Sequence, residues 1–259
     1  MIDLTPAQIK QALRLYLVTD DALCLHHSLL DVVQLAVQSG VTCVQLREKH
    51  LATGAFVEKA RALQAIIQHH APHVPLIIND RVDVALAVGA DGVHVGQSDM
   101  AVADVRRLMA VGVVGLSVES MDDVTEVEKM RSQGIQIDYL GISPVFGTMT
   151  KSDIAPPLGL EEVAKIRALT DLPLVGIGYS RWQCASSHTS RRGWHRCGQR
   201  DLFGRASARG GECAVGSVMN IVIASGFYEA IHAEINRLTL LDCHPSTKPF
   251  EGRNDHVHI

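Results

Sequence analysis

The sequence predicts an α/β fold, a (β/α)8 TIM barrel left incomplete after its seventh strand. Three observations lead there. From residue 14 to 178, short β-branched runs alternate with longer amphipathic ones, the pattern of successive strand–helix units on a parallel sheet. Each unit takes about 25 to 30 residues, so seven strand-like runs by residue 178 extrapolate to an eighth near residue 200 and to closure as a barrel. No G-x-G-x-x-G follows the first strand-like run, which disfavours an open doubly wound sheet.

Taken in order, RLYLVTD at 14 is followed by LLDVVQLAVQSG, and TCVQLRE at 42 by FVEKARALQAIIQHH. PLIIND at 75 leads to RVDVALAVGA, and GVHVG at 92 to VADVRRLMAVG. VVGLSV at 113 precedes SMDDVTEVEKM, YLGIS at 139 precedes LEEVAKIRAL, and PLVGIG at 173 is the seventh run. The longer stretches carry apolar residues at i, i+3, i+4, the spacing of one helix face. Gly40, Gly89, Gly112 and Gly134 end several of them, as a helix C-terminus favours.

Composition narrows the class. At 259 residues the chain is long enough to bury a substantial core, and 47% hydrophobic with 20% charged residues is ordinary for a globular protein. A formal charge of −4 lacks the clustered basic excess of a nucleic-acid-binding surface. No apolar run reaches the ~20 residues of a membrane span, and MIDLTPAQIKQALRLYLVTD lacks a signal-peptide pattern, so a cytoplasmic protein is expected. Six cysteines (24, 43, 184, 197, 213 and 243) show no C-x-x-C spacing, which signals reduced thiols rather than zinc or disulfides. No motif encodes an oligomeric state.

Active sites of such barrels lie where the strands end, so the polar residues closing each run are the candidates. The second run ends Gln45-Leu46-Arg47-Glu48-Lys49, and alternation puts Gln45, Arg47 and Lys49 on one side. A solvated loop is the competing role for R-E-K. The third run ends Asn79-Asp80, and the fourth carries His94, Gln97 and Asp99 in GVHVGQSD. Asp80 and Asp99 on neighbouring strand ends are hard oxygen ligands suited to Mg²⁺ holding a substrate phosphate. Asp80 could instead cap the helix that follows it, and His94 could be a satisfied core histidine. Ser117 closes the fifth run, and Thr148, Thr150 and Lys151 form a T-x-T-K set able to hold phosphate beyond the sixth.

These segments resemble thiamine-phosphate synthase in order and spacing: QLREK at 45, INDRVDVA at 78, GVHVGQSD at 92, GLS at 115, GISPVFGTMTK at 141 and VGIG at 175. The resemblance covers about residues 14 to 178. It implies condensation of hydroxymethylpyrimidine diphosphate with thiazole phosphate, releasing pyrophosphate, with Mg²⁺ on Asp80 and Asp99. Arg47, Lys49, Asn79, Ser117 and Lys151 would then hold the pyrophosphate. Gln45 and His94 would lie near the pyrimidine, and Thr148, Thr150 and Gly178 near the thiazole phosphate. The related pyrimidine-aromatising barrel protein is an alternative, but retention of QLREK, TMTK and both aspartates speaks against it.

After Gly178 the pattern breaks. The family continues VGIGGI, a helix and an eighth strand resembling AGADGIAVVS, whereas here Tyr179 replaces the second glycine. Residues 179–213 hold one Val, Ile or Leu, at Leu202, beside seven arginines and both tryptophans. Reading one base out of step restores the pattern. Trp194–His195 then necessarily encodes Gly, and the codons through Gln199–Arg200 can encode IAVVS, giving GIAVVS. In the same shifted frame Met219–Asn220 necessarily gives the stop codon TGA.

The expectation is therefore seven strand–helix units over 1–178, a disordered out-of-frame segment over 179–218, and an unrelated tail over 219–259 with a short helix near 226–238. In that tail His244, His256 and His258 are read as incidental. A chain built this way would leave two sheet edges open. An inactive remnant that binds diphosphate without turnover is the alternative to an active synthase.

Overall fold

Eight parallel strands follow one another in chain order around a closed ring in the computed structural model, which describes residues 4–24, 27–142, 158–176 and 220–224. They are β1 (Leu15–Val18), β2 (Cys43–Leu46), β3 (Leu76–Asn79), β4 (Gly92–Val95), β5 (Val113–Val118), β6 (Tyr139–Ile142), β7 (Leu174–Gly176) and β8 (Asn220–Ala224). Helix α1 (Pro6–Ala12) precedes β1. Helices α2 (Leu29–Gln38), α3 (Thr53–His70), α4 (Val82–Val88), α5 (Val102–Leu108), α6 (Met121–Ser132) and α7 (Gly159–Leu169) lie in the successive connections. The seven expected strands and six expected helices are all present. Gly89 ends α4 in the left-handed conformation, at φ 64°, as read from its position.

The ring closes where an open edge was expected. β8 pairs with β1 on one side, Leu15 opposite Ile221, and with β7 on the other, Val175 opposite Asn220. This strand comes from the stretch read as an unrelated tail, not from the region near residue 200. Among the described residues no helix follows β8, so the eighth unit is a strand alone. The segment 179–218, the helix expected at 226–238 and the three tail histidines lie outside the described residues.

Period-two alternation divides the core into two bodies. Outward-facing strand residues such as Leu17, Val44, Leu46, Ile78, Val93 and Leu140 pack against the helices. Inside the ring, Tyr16, Cys43, Ile77, Val113, Tyr139 and Val175 form a separate cluster with Ile9 and Leu13. The middle of α1, through Ile9, and the residue that follows it, Leu13, thus contribute to the interior, and α1 is an element the strand–helix rhythm does not announce. Its start is nevertheless written in Thr5-Pro6-Ala7-Gln8, a capping box with proline in the first turn. Gln8 accepts the Thr5 N–H at 2.9 Å.

The N-terminal rim is fixed by a repeated device. A side chain just before an even-numbered strand accepts a backbone N–H at the start of the preceding strand. Thr42 accepts from Leu15 at 2.7 Å, Asp91 from Leu76 at 3.0 Å and Asp138 from Val114 at 2.7 Å. Asp138 also pairs with Arg106, which donates to the Gly112 and Gln136 carbonyls, both at 2.9 Å. Cys24 and Cys43 are buried free thiols, as expected of them; the other four cysteines lie outside the described residues. Among the described residues no helix is long and apolar enough to cross a membrane.

Candidate active site

Strands β2 to β5 bring most of the candidate residues to one end of the barrel, the end where the strands finish. Gln45 and His94 point inward and are 3% and 4% exposed, so they form the floor rather than the rim. Asn79, also buried, sits opposite His94 in the β3–β4 register. Arg47 and Lys49 follow β2, Asp80 follows β3, Asp99 follows β4, and Ser117 lies within β5.

The R-E-K stretch is a loop tied down by ion pairs, with its glutamate largely buried and its lysine exposed. Glu48 turns away from the mouth and bonds Lys59 at 2.7 Å, while its other oxygen accepts the N–H groups of Lys49 at 2.9 Å and His50 at 3.0 Å. Burial alone would raise its pKa, but the Lys59 bond and the His50 N–H outweigh that and hold it at about 2. The anchored glutamate leaves the two flanking cations beside the mouth. Arg47 lies 3.7 Å from Asp20, and its N–H donates to the Thr19 hydroxyl at 3.0 Å. Lys49 forms an ion pair with Asp80.

Asp80 does not cap the helix after it. The residue preceding α4 is Arg81, and no side chain caps that end. Instead Asp80 holds a left-handed backbone at φ 61°, the one such non-glycine position among the described residues, and its N–H donates to the His94 carbonyl at 2.8 Å. Asp99 accepts the Gly96 N–H at 2.7 Å. Burial and then the neighbouring Asp80 carboxyl push the Asp99 pKa up, against the pull of that N–H and of Lys49. The two carboxyls are thus near neighbours, with Lys49 paired to one of them. Among the described residues no group of three or more His, Cys, Asp or Glu converges.

His94 is both a satisfied core histidine and a floor residue. Its Nδ1 lies 2.9 Å from the Tyr139 hydroxyl and its Nε2 lies 2.9 Å from the Ser117 hydroxyl. Tyr139 in turn lies 2.7 Å from the Tyr16 hydroxyl, which accepts from Gln45 at 2.9 Å. Gln97 donates to the Ser117 carbonyl at 2.7 Å. Neither tyrosine is among the residues the motifs single out, although both share the inward phase of Gln45 and His94. Two glycines make room for them. A Cβ on Gly115 would lie 2.1 Å from Tyr139 Cζ and 2.5 Å from His94 Nδ1, and one on Gly141 would lie 2.8 Å from His94 Cε1. Thr148, Thr150, Lys151 and Gly178 lie outside the described residues.

The family model described as thiamine monophosphate synthase matches residues 15–187, about two thirds of the chain and every strand through β7. The chain belongs to this family. A thiamine-phosphate synthase from Albidiferax ferrireducens is 55% identical over 170 residues, covering 65% of this chain and 74% of that protein. A thiamine-phosphate synthase from Leptospira biflexa is 46% identical over 164 residues, 63% of this chain and 77% of the relative. Among solved structures, the thiamine phosphate pyrophosphorylase from Pyrococcus furiosus superposes with a TM-score of 0.66 at 26% identity, over 90% of this chain and 96% of that one. Membership of the thiamine monophosphate synthase family makes the chain a transferase by descent, and its barrel mouth the place to seek the chemistry.

Proposed function

We propose that the chain is a thiamine-phosphate synthase that condenses hydroxymethylpyrimidine diphosphate with thiazole phosphate and releases pyrophosphate. The observation that carries this reading is the meeting of Lys49, Asp80 and Asp99 above a buried floor containing Gln45 and His94. Cations and paired carboxylates at the rim suit a diphosphate, while amide and imidazole below suit a nitrogen heterocycle.

Asp80 and Asp99 would hold Mg²⁺. Two neighbouring carboxyls with one pKa pushed up fit a divalent cation, and so small a protein ligand set is what Mg²⁺ uses when substrate phosphate and water complete its shell. Bound there, Mg²⁺ supplies positive charge that stabilises the leaving pyrophosphate.

The chain's own groups would do the rest. Arg47, Lys49 and Lys151 neutralise the diphosphate, and Asn79 and Ser117 donate hydrogen bonds to it. Gln45 and His94 orient the pyrimidine, and Thr148, Thr150 and Gly178 receive the thiazole phosphate. The bond from the pyrimidine methylene to the diphosphate oxygen breaks, and its electron pair leaves with pyrophosphate. The thiazole nitrogen then gives its lone pair to the methylene carbon. That nitrogen carries no proton to remove, so no general base is needed, and catalysis is electrostatic stabilisation of the leaving group. Phosphorylated substrates do not cross membranes unaided, which supports a cytoplasmic site of action.

The break after Gly178 favours a second reading, a remnant that binds diphosphate without turnover. Tyr179 stands where the family has its second glycine, and the family match stops at residue 187. We infer that residues 179–259 arise from a change of frame near codon 179 equivalent to one extra base or two lost bases. Incubating the full chain with both substrates and Mg²⁺ and measuring thiamine phosphate tests the first reading. Diphosphate binding without product would establish the remnant, and neither binding nor product would refute both.

A further inference from the structure

The buried chain beneath the mouth has a direction. Gln45 donates its amide N–H to the Tyr16 oxygen at 2.9 Å, so the Tyr16 proton is free for Tyr139, 2.7 Å away. The Tyr139 proton is then free for Nδ1 of His94 at 2.9 Å. With Nδ1 accepting, the imidazole hydrogen sits on Nε2 and is donated to Ser117 at 2.9 Å. The Ser117 oxygen is thereby occupied as an acceptor. Its own proton has no acceptor among the described residues, and the side chain is partly exposed at the mouth.

Resting on the synthase reading, we propose that Tyr139, backed by Tyr16, is a positioning residue: it fixes the Nε2–H tautomer of His94 and thereby presents the Ser117 hydroxyl as a donor to the substrate's diphosphate. The opposite polarity would run from Ser117 to Tyr16 and present only lone pairs to an anion. Burial pushes both phenols well above their ordinary pKa, so both retain the protons the relay needs. Tyr16, Tyr139, Gln45 and His94 are all at most 4% exposed, so water does not scramble the bonds. The Tyr139 and His94 rings are stacked with centroids 5.4 Å apart, in the space left by Gly115 and Gly141. Register places these residues on β1, β2, β4, β5 and β6, so the relay ties the second strand to the fifth across the barrel interior.

The test combines spectroscopy on the free full-length protein with binding of inorganic pyrophosphate in the presence of Mg²⁺. In ¹⁵N-histidine-labelled protein, with His94 assigned by its disappearance in His94→Gln, the expected spectrum shows a bare Nδ1 and a protonated Nε2. Tyr139→Phe should mix the two tautomers and weaken pyrophosphate binding roughly 3- to 10-fold, the effect of one hydrogen bond. In a Ser117→Ala background the same change should have no further effect on affinity. Should Tyr139→Phe fail to fold, Tyr16→Phe serves instead. It cuts the link to Gln45 and should likewise give a mixed His94 spectrum. A protonated Nδ1 in the wild type overturns the proposal, as do additive affinity losses for Tyr139→Phe and Ser117→Ala. If the wild type does not bind pyrophosphate, the synthase reading fails, while the tautomer still decides the relay's direction.

Discussion

Lys49 and Asp80 form an ion pair across the barrel mouth, and Asp80 reaches it from a left-handed backbone at φ 61°. An L-residue pays roughly 1 kcal/mol for that conformation, somewhat less for aspartate, and glycine pays almost nothing. Function and stability should therefore separate at this position. Asp80→Gly is expected to keep or raise the denaturation midpoint while lowering turnover on the order of 100-fold or more. Asp80→Ala should lose both, with stability down by about 1 kcal/mol. Equal stability losses in the two variants would show that the backbone conformation is immaterial.

Gly115 should tolerate no side chain. Its added Cβ would lie 2.1 Å from Tyr139 Cζ, so Gly115→Ala is expected to cost more than about 2 kcal/mol by overpacking. Gly54, in the first turn of α3 with open space around it, is the control. Gly54→Ala should be neutral or stabilising by up to about 1 kcal/mol. Urea denaturation of both variants checks the contrast.

Acid should act through Glu48. Its folded pKa of about 2 is depressed from 4.5, so its contribution is complete above pH 4.5 and is lost as pH falls towards 2. The contribution amounts to at most about 3 kcal/mol. Stability measured from pH 5 down to 2.5 should fall steeply in the wild type and more gently in Glu48→Gln. Parallel curves would mean that the Glu48–Lys59 pair contributes nothing.

Asp138 belongs to the opposite end of the barrel and should matter for stability alone. Its carboxylate holds both Arg106 and the Val114 N–H, and its side chain is 5% exposed. Asp138→Ala leaves a largely buried guanidinium without its carboxylate and the Val114 N–H without an acceptor, and should cost about 3 kcal/mol. The fraction that remains folded should show unchanged KM, measured well below the unfolding temperature.

The gene should carry one base more, or two fewer, than its relatives near codon 179. The nucleotide sequence of codons 170 to 220, read in the shifted frame, is expected to spell GIAVVS and to stop at the position of residues 219–220. Codons that do not spell GIAVVS in that frame would remove the frameshift from consideration.

The strands and their inward residues were legible because alternation is local. Gln45, His94 and Ser117 share one phase with Tyr16 and Tyr139, and the same phase delivered the floor of the mouth. The tyrosines stayed unread because an aromatic in a strand reads as packing, and only the fold brings residues 16 and 139 to 2.7 Å. That Asp80 does not cap α4 goes with its one left-handed backbone angle, which no spacing encodes. Glu48 looked like part of a charged loop until Lys59, eleven residues on, was seen to hold it. α1 was missed because it lies outside the strand–helix rhythm. β8 was missed because the rhythm pointed to residue 200, and five residues reading NIVIA carry little signal beyond a 43-residue gap.

That gap gives the ring a sequence in time. β1 finds its second neighbour only at Ile221, 206 positions after Leu15, and β7 waits for the same strand. Pairings this distant form slowly, and a chain leaving the ribosome presents its early strands first. For most of synthesis two unpaired edges face solvent together, each a template for another chain. Expression yield and chaperone dependence should thus respond to changes in five late residues more sharply than to changes in the first four strands' outer helices.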